Sequence, residues 1–191
     1  MNIYESIQAS IETKQRILSD DSLVEEIGNV AHACIEALCA GNKLLFCGNG
    51  GSAADAQHLA AELSGRYHYD RPPLPAEALH VNTSYLTAVA NDYSFEEVYS
   101  RILRGIGRER DVLIAISTSG NSPNILKALK TAEEMGLITV GLTGSSGGRM
   151  KSICDYLIRV PSADTPRIQE SHIMIGHIIC DRIESTLFPK S

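Results

Sequence analysis

The chain contains no tryptophan, and aromatic residues make up only 5% of its 191 positions. A pocket built on stacked aromatic platforms therefore fits poorly, whereas a polar pocket remains open. There is also no run of basic residues. With 17 Lys and Arg against 23 Asp and Glu, the formal charge is −6, which argues against a nucleic-acid surface that works by neutralising phosphates. A single phosphate ester is not excluded, because it needs only one local pocket. No stretch approaches the roughly 20 apolar residues that span a bilayer. The start, Met1-Asn2-Ile3-Tyr4-Glu5, lacks the basic and apolar segments of a signal peptide. These absences predict a cytoplasmic protein without membrane or nucleic-acid partners. The five cysteines, Cys34, Cys39, Cys47, Cys154 and Cys180, are odd in number and form no C-x-x-C pair. They read as buried small hydrophobes, not as a disulfide framework or a thiolate metal site.

A hydrophobic share of 43% is ordinary for a globular protein. The length suits one domain, taken as 1–191. Residues 2–40 read as helical: Ile3, Ile7 and Ile11 recur every four residues, as do Ile27, Ala31 and Ile35 after an Asp20-Asp21-Ser22 start signal. From residue 43 short apolar runs alternate with helical stretches. Strands are expected at 43–47, 76–81, 111–116, 137–142 and 156–160. Helices are expected at 53–64, 94–106, 123–135 and 167–187. The run Val112-Leu113-Ile114-Ala115-Ile116 is uniformly apolar, as a sheet covered on both faces requires. The alternation predicts an α/β fold: a doubly wound, mostly parallel five-stranded sheet with helices on both faces. The helices of 1–40 stand outside this alternation, and their apolar stripes need a partner, in the same domain or in another subunit.

Two turns stand out at expected strand ends, where open parallel sheets bind ligands. One is Gly48-Asn49-Gly50-Gly51-Ser52, the other Ser117-Thr118-Ser119-Gly120-Asn121-Ser122. Glycines admit an anion close to the backbone, each turn opens a helix whose free amides favour negative charge, and hydroxyls add donors. No Gly-Lys-Ser/Thr follows either turn, so a P-loop is excluded. Gly48, Gly50 and Ala53 match the dinucleotide pattern loosely, but the next strand ends Ala78-Leu79-His80-Val81-Asn82 without the required acid. A small phosphorylated ligand fits better. His58 and Glu62, four apart on the helix leaving the first turn, share one face and offer an imidazole and a carboxylate to one divalent ion. Taken singly, His32, His68, His80 and His172 read as hydrogen-bonded structural groups.

Several segments together resemble the phosphoheptose isomerases of the sugar isomerase (SIS) domain family: Gly48 to His58 followed by Glu62, Ala90-Asn91-Asp92, Ser117 to Ser122, and Arg167-Ile168-Gln169-Glu170 with His177. The resemblance covers nearly the whole chain, with the motifs in order. It implies a flavodoxin-like SIS sandwich that converts sedoheptulose 7-phosphate to D-glycero-D-manno-heptose 7-phosphate, a first step towards the heptose of lipopolysaccharide cores or related glycans. By position, it implies a phosphate cradle of Ser117, Thr118, Ser119 and Ser122. It implies sugar contacts from Asn49, Gly50, Gly51, Ser52, Glu62, Asn91, Asp92 and Gln169, with Arg66 nearby. It implies one zinc ion per subunit held by His58, Glu62, Gln169 and His177, with Glu62 as base and His177 as acid. It also implies a homotetramer with sites at subunit interfaces, which would give residues 1–40 their partners.

On a straight helix Gln169 and His177 lie about 12 Å apart along the axis. They reach one ion only if their side chains converge; otherwise they serve different subunits, or one ligates at a time. Some relatives carry Asp where Pro166 and Asn82 stand. A non-catalytic relative is the competing reading. It would bind a protein partner in the manner of the family's replication-initiation regulators, whose ending the segments Cys180-Asp181 and Thr186-Leu187-Phe188-Pro189 resemble, or it would sense a sugar phosphate. The presence of both Glu62 and His177 favours the enzyme.

Overall fold

A computed structural model describes residues 2–190. The helical N-terminal segment is two helices, α1 (Ile3–Leu18) and α2 (Asp21–Cys39). Asn2 and Glu5 form a reciprocal capping box at 2.8 and 2.9 Å. The break falls at Asp20, whose carboxylate accepts from the Leu23 amide at 3.1 Å and so starts the second helix.

Five strands follow: β1 (Leu44–Gly48), β2 (Ala76–Ala78), β3 (Val112–Ile116), β4 (Ile138–Thr143) and β5 (Tyr156–Arg159). They pair in the order β2-β1-β3-β4-β5, every pair parallel. The remaining helices are α3 (Gly51–Ser64), α4 (Thr83–Asp92), α5 (Val98–Ile106), α6 (Pro123–Glu134) and α7 (Thr165–Leu187), with short 3-10 turns at Phe95–Glu97 and Gly148–Ser152. The sheet is thus wholly parallel, where the sequence supported only mostly parallel. Strand β2 is shorter than expected. The Leu79 amide still bonds the Phe46 carbonyl at 2.9 Å, but the chain then turns and the Val81 amide bonds back to Ala78.

Alternation along the strands splits the core in two. Leu44, Phe46, Val112, Ile114, Val140 and Ile158 face α2, α3 and α7, and Ile17 of α1 joins that cluster. Leu45, Cys47, Leu113 and Ala115 face α4, α5 and α6. Helix α4 is a correction to the sequence reading. Asn82 caps it by accepting from the Tyr85 amide at 3.0 Å, a task that Asn and Asp perform about equally well. Cys39 is a second correction: it is exposed at the end of α2. Burial raises the thiols of Cys34, Cys154 and Cys180 to about 12 and pushes Cys47 higher still, which leaves them inert packing groups.

Sheet order reverses between β1 and β3, where an open α/β sheet has its ligand crevice. Gly48 pairs with Ile116 in register, so the two ligand-type turns leave the sheet at the same level and side by side.

Candidate active site

The first turn is held from several directions. Gly50 has φ +56°, the left-handed region that favours glycine. A Cβ on Gly48 would collide with the Ser52 backbone, and the Gly48 carbonyl accepts from the buried Tyr99 hydroxyl. The Asn49 side chain forms a reciprocal amide pair with Asn124, both bonds 2.8 Å. Asn124 lies buried in the first turn of α6, so this pair ties the first turn to the helix leaving the second. The sequence marked Asn49 and passed over Asn124, whose signal was a polar residue placed directly after the helix-starting Pro123.

In the second turn the Ser117 and Ser122 hydroxyls lie 2.9 Å apart. Ser119 accepts from the Asn121 amide at 3.2 Å, and Asn121 accepts from the Arg149 amide at 3.1 Å. Gly120 has φ +65° and sits so close to Gly147 that a Cβ there would strike the Gly147 carbonyl. The turn after β4 thus packs on the turn after β3. Between them lies a cavity of about 180 Å³ lined by Thr118, Ser119, Gly144, Ser145, Ser146 and Ser162, among others. Ser145, Ser146 and Ser162 were not singled out from sequence, although Thr143 to Gly148 has the same glycine and hydroxyl grammar as the two turns that were.

Helices α3 and α7 run side by side in the same direction. Gly51 faces the Gln169 amide, and a Cβ on Gly176 would meet Leu59 Cδ1 at 2.5 Å. This close approach brings His177 to His58. Their Nε2 atoms are 2.9 Å apart, and His58 Nε2 is 3.1 Å from Glu62 Oε1. One ligand-type atom from each of the three lies within 4.8 Å of the others. Two imidazoles and one carboxylate are a donor set that catalytic zinc sites use, so the residues fit such an ion. All three come from one subunit. Gln169, two turns earlier on α7, lies against Gly51 at the mouth of the first turn.

One turn before His58, Asp55 has a buried carboxylate oxygen without a hydrogen-bond partner. Burial raises its pKa, and the neighbouring His58 opposes that. Asn91 and Asp92 end α4, exposed and bonded to each other at 2.9 Å. Arg66 is exposed just beyond α3. His172 reads correctly as structural: it is fully buried, 3.2 Å from the Thr143 carbonyl, and burial lowers its pKa to about 4.

A parallel sheet with hydroxyl-rich turns at its switch point and a His-Glu-His group on the adjoining helices defines a small-phosphoester enzyme of the α/β class. The SIS domain family model matches residues 7–144, and the chain belongs to that family. It is 56% identical to a phosphoheptose isomerase of Aneurinibacillus thermoaerophilus over 95% of this chain and 92% of that protein. A phosphoheptose isomerase of Clostridium acetobutylicum is 53% identical over 95% and 93%. The solved phosphoheptose isomerase of Neisseria gonorrhoeae superposes with a TM-score of 0.90 at 44% identity, covering 96% of this chain and 97% of that one.

Proposed function

We propose that the chain is an aldose–ketose isomerase that converts sedoheptulose 7-phosphate to D-glycero-D-manno-heptose 7-phosphate. The observation that carries this reading is the convergence of His58, Glu62 and His177 beside the glycine turn, in a chain so similar to phosphoheptose isomerases along its whole length.

Isomerisation moves a proton between adjacent carbons through an enediol. Glu62 removes the C1 proton of the ketose while His177 donates a proton to the C2 oxygen. Glu62 then returns its proton to C2, and His177 takes the proton from the C1 hydroxyl as the aldehyde forms. Atoms and charge balance over the two halves, and both residues end as they began. Lewis-acid polarisation of the carbonyl oxygen is the chemistry that a zinc ion held by His58, Glu62, Gln169 and His177 would supply. A metal-bound carboxylate or imidazole is a poor base or acid, so Glu62 and His177 would have to be free of the ion when they transfer their protons. Ser117, Thr118, Ser119 and Ser122 hold the phosphate with hydroxyls and the amides opening α6, and so fix which carbon faces Glu62. Asn49, Gly50, Gly51, Ser52, Asn91 and Asp92 serve the sugar hydroxyls.

The same reading makes the chain a cytoplasmic homotetramer that feeds heptose into lipopolysaccharide or another surface glycan. Two features support it. No helix among the described residues is long and apolar enough to cross a membrane. Helix α1, part of the 1–40 extension of the single domain, leaves Ile3, Tyr4, Ile7, Ile11 and Leu18 exposed, an apolar stripe suited to another subunit.

An NMR or coupled assay with sedoheptulose 7-phosphate, with chelator and after zinc is restored, tests the proposal. We expect turnover that chelation removes and zinc returns. Binding without turnover in the zinc-restored protein would leave a sugar-phosphate sensor or a partner-binding protein instead.

A further inference from the structure

We infer that the buried Arg71–Glu184 pair is a positioning clamp that sets how closely His58 and Glu62 approach His177. Both side chains are almost fully enclosed, at 2% and 1% exposure, with Arg71 Nε 3.1 Å from Glu184 Oε1. Neither side chain meets a side chain of the His58–Glu62–His177 group, and the isomerase mechanism uses neither. What they join is telling. The Arg71 guanidinium donates to the carbonyls of Glu62 at 2.8 Å, Leu63 at 2.7 Å and Gly65 at 3.0 Å, the carbonyl end of α3. Glu184 lies two turns beyond His177 on α7 and accepts from the amides of Tyr67 at 2.9 Å and His68 at 2.7 Å. One ion pair therefore connects the end of the helix carrying His58 and Glu62 to the helix carrying His177. It also fixes the intervening loop, where the Tyr67 ring sits 5.7 Å from the His177 ring.

A buried ion pair is poor ground for stability, because desolvation offsets most of the attraction and apolar residues of similar volume often serve as well or better. Its particular contribution is directional: a planar fork that reaches the carbonyls of Glu62, Leu63 and Gly65 at the end of α3 fixes a rotation and a height, which apolar packing does not. The inference rests on the isomerase reading only in taking His58, Glu62 and His177 as the working group.

The test uses the full chain in two variants. Arg71→Lys keeps the charge and loses the fork. The double variant Arg71→Met with Glu184→Met removes both charges and leaves none buried alone. In each, Tm, the crystal structure, and Co2+ binding followed by visible absorption are measured. A clamp predicts a double variant that still folds, with Tm lowered by the backbone groups left without their side-chain partners. Its His58–His177 spacing would be wider than 2.9 Å, its Co2+ affinity about ten-fold weaker and its Co2+ spectrum changed. Parent spacing, affinity and spectrum in the folded double variant would overturn the inference. Loss of the fold in both variants would overturn it too, since the pair would then be a folding requirement. If the parent itself takes up no Co2+, the metal reading fails, and the spacing in the variant crystals alone decides the clamp.

Discussion

The two faces of the sheet are packed on different terms. Against α4, α5 and α6 the core is Leu, Ile, Val, Ala, Cys and Met with Tyr99. Its polar guests, such as Ser100, Asn124 and Thr131, are uncharged, and the buried Asp111 carboxylate sits at the far end of β3 from the ligand turns, paired with Lys43. Against α2, α3 and α7 the apolar core is as continuous, yet it encloses Arg71, Glu184 and His172. The second face is the one whose helices bring His58, Glu62 and His177 together. Apolar packing is tolerant of small slides, which suffices where a helix only covers a sheet. Where imidazoles on two helices must meet within a hydrogen-bond length, directional buried contacts are added despite their desolvation cost.

Substitutions on each face break this contrast in opposite ways. The largest effect is expected for Glu62→Gln on the reactive face: turnover falls about a hundred- to ten-thousand-fold, while the urea midpoint stays near the parent's. Near-normal turnover in this variant with zinc bound would show that another group is the base. On the apolar face, Leu129→Ala removes a fully buried side chain. It should destabilise by about 2–5 kcal/mol, read by urea unfolding, with kcat at low temperature almost unchanged. A matching loss of kcat would mean that the faces are not separable.

The third prediction concerns pH. Because His172 has its folded-state pKa depressed to about 4, protonation favours the unfolded chain. Its contribution is complete above about 6.5 and is lost as pH falls toward 4, roughly 3 kcal/mol at about 1.4 kcal/mol per unit. Urea titrations across that window should show the slope, and His172→Gln should flatten it. Glu184, whose carboxyl is held low by the amides of His68 and Tyr67 and by Arg71 against the opposing effect of burial, loses its contribution only further down, below the ordinary carboxylate range. The smallest effect is Ser122→Ala. One hydroxyl of the proposed phosphate cradle is worth about 1 kcal/mol, so KM should rise roughly five-fold with kcat held; a fall in kcat alone would place Ser122 elsewhere in the reaction.

Local signals were legible where one element contains the whole pattern. Strand β3, the Asp20 start, Pro123 and the His58–Glu62 spacing are of this kind. Helix α4 escaped because its apolar side, Tyr85, Leu86, Val89 and Ala90, is short, interspersed with Thr83, Ser84 and Thr87, and fully buries only Val89. His177 lies 119 residues from His58, and no periodicity links them; resemblance did. Arg71 and Glu184, 113 apart, had neither spacing nor resemblance to draw attention. Ser145 and Ser146 were legible in principle, because their turn repeats the glycine and hydroxyl grammar of the other two.

The contact of Gly120 with Gly147 has a thermodynamic side. Two turns that interlock at their backbones, each with a glycine in left-handed geometry, have few shapes to choose from before a phosphate arrives. The ordering entropy is then spent during folding and not on binding. If this is the phosphate cradle, as proposed, it gains affinity from rigidity, and a ligand whose anion is misplaced finds no loop ready to follow it.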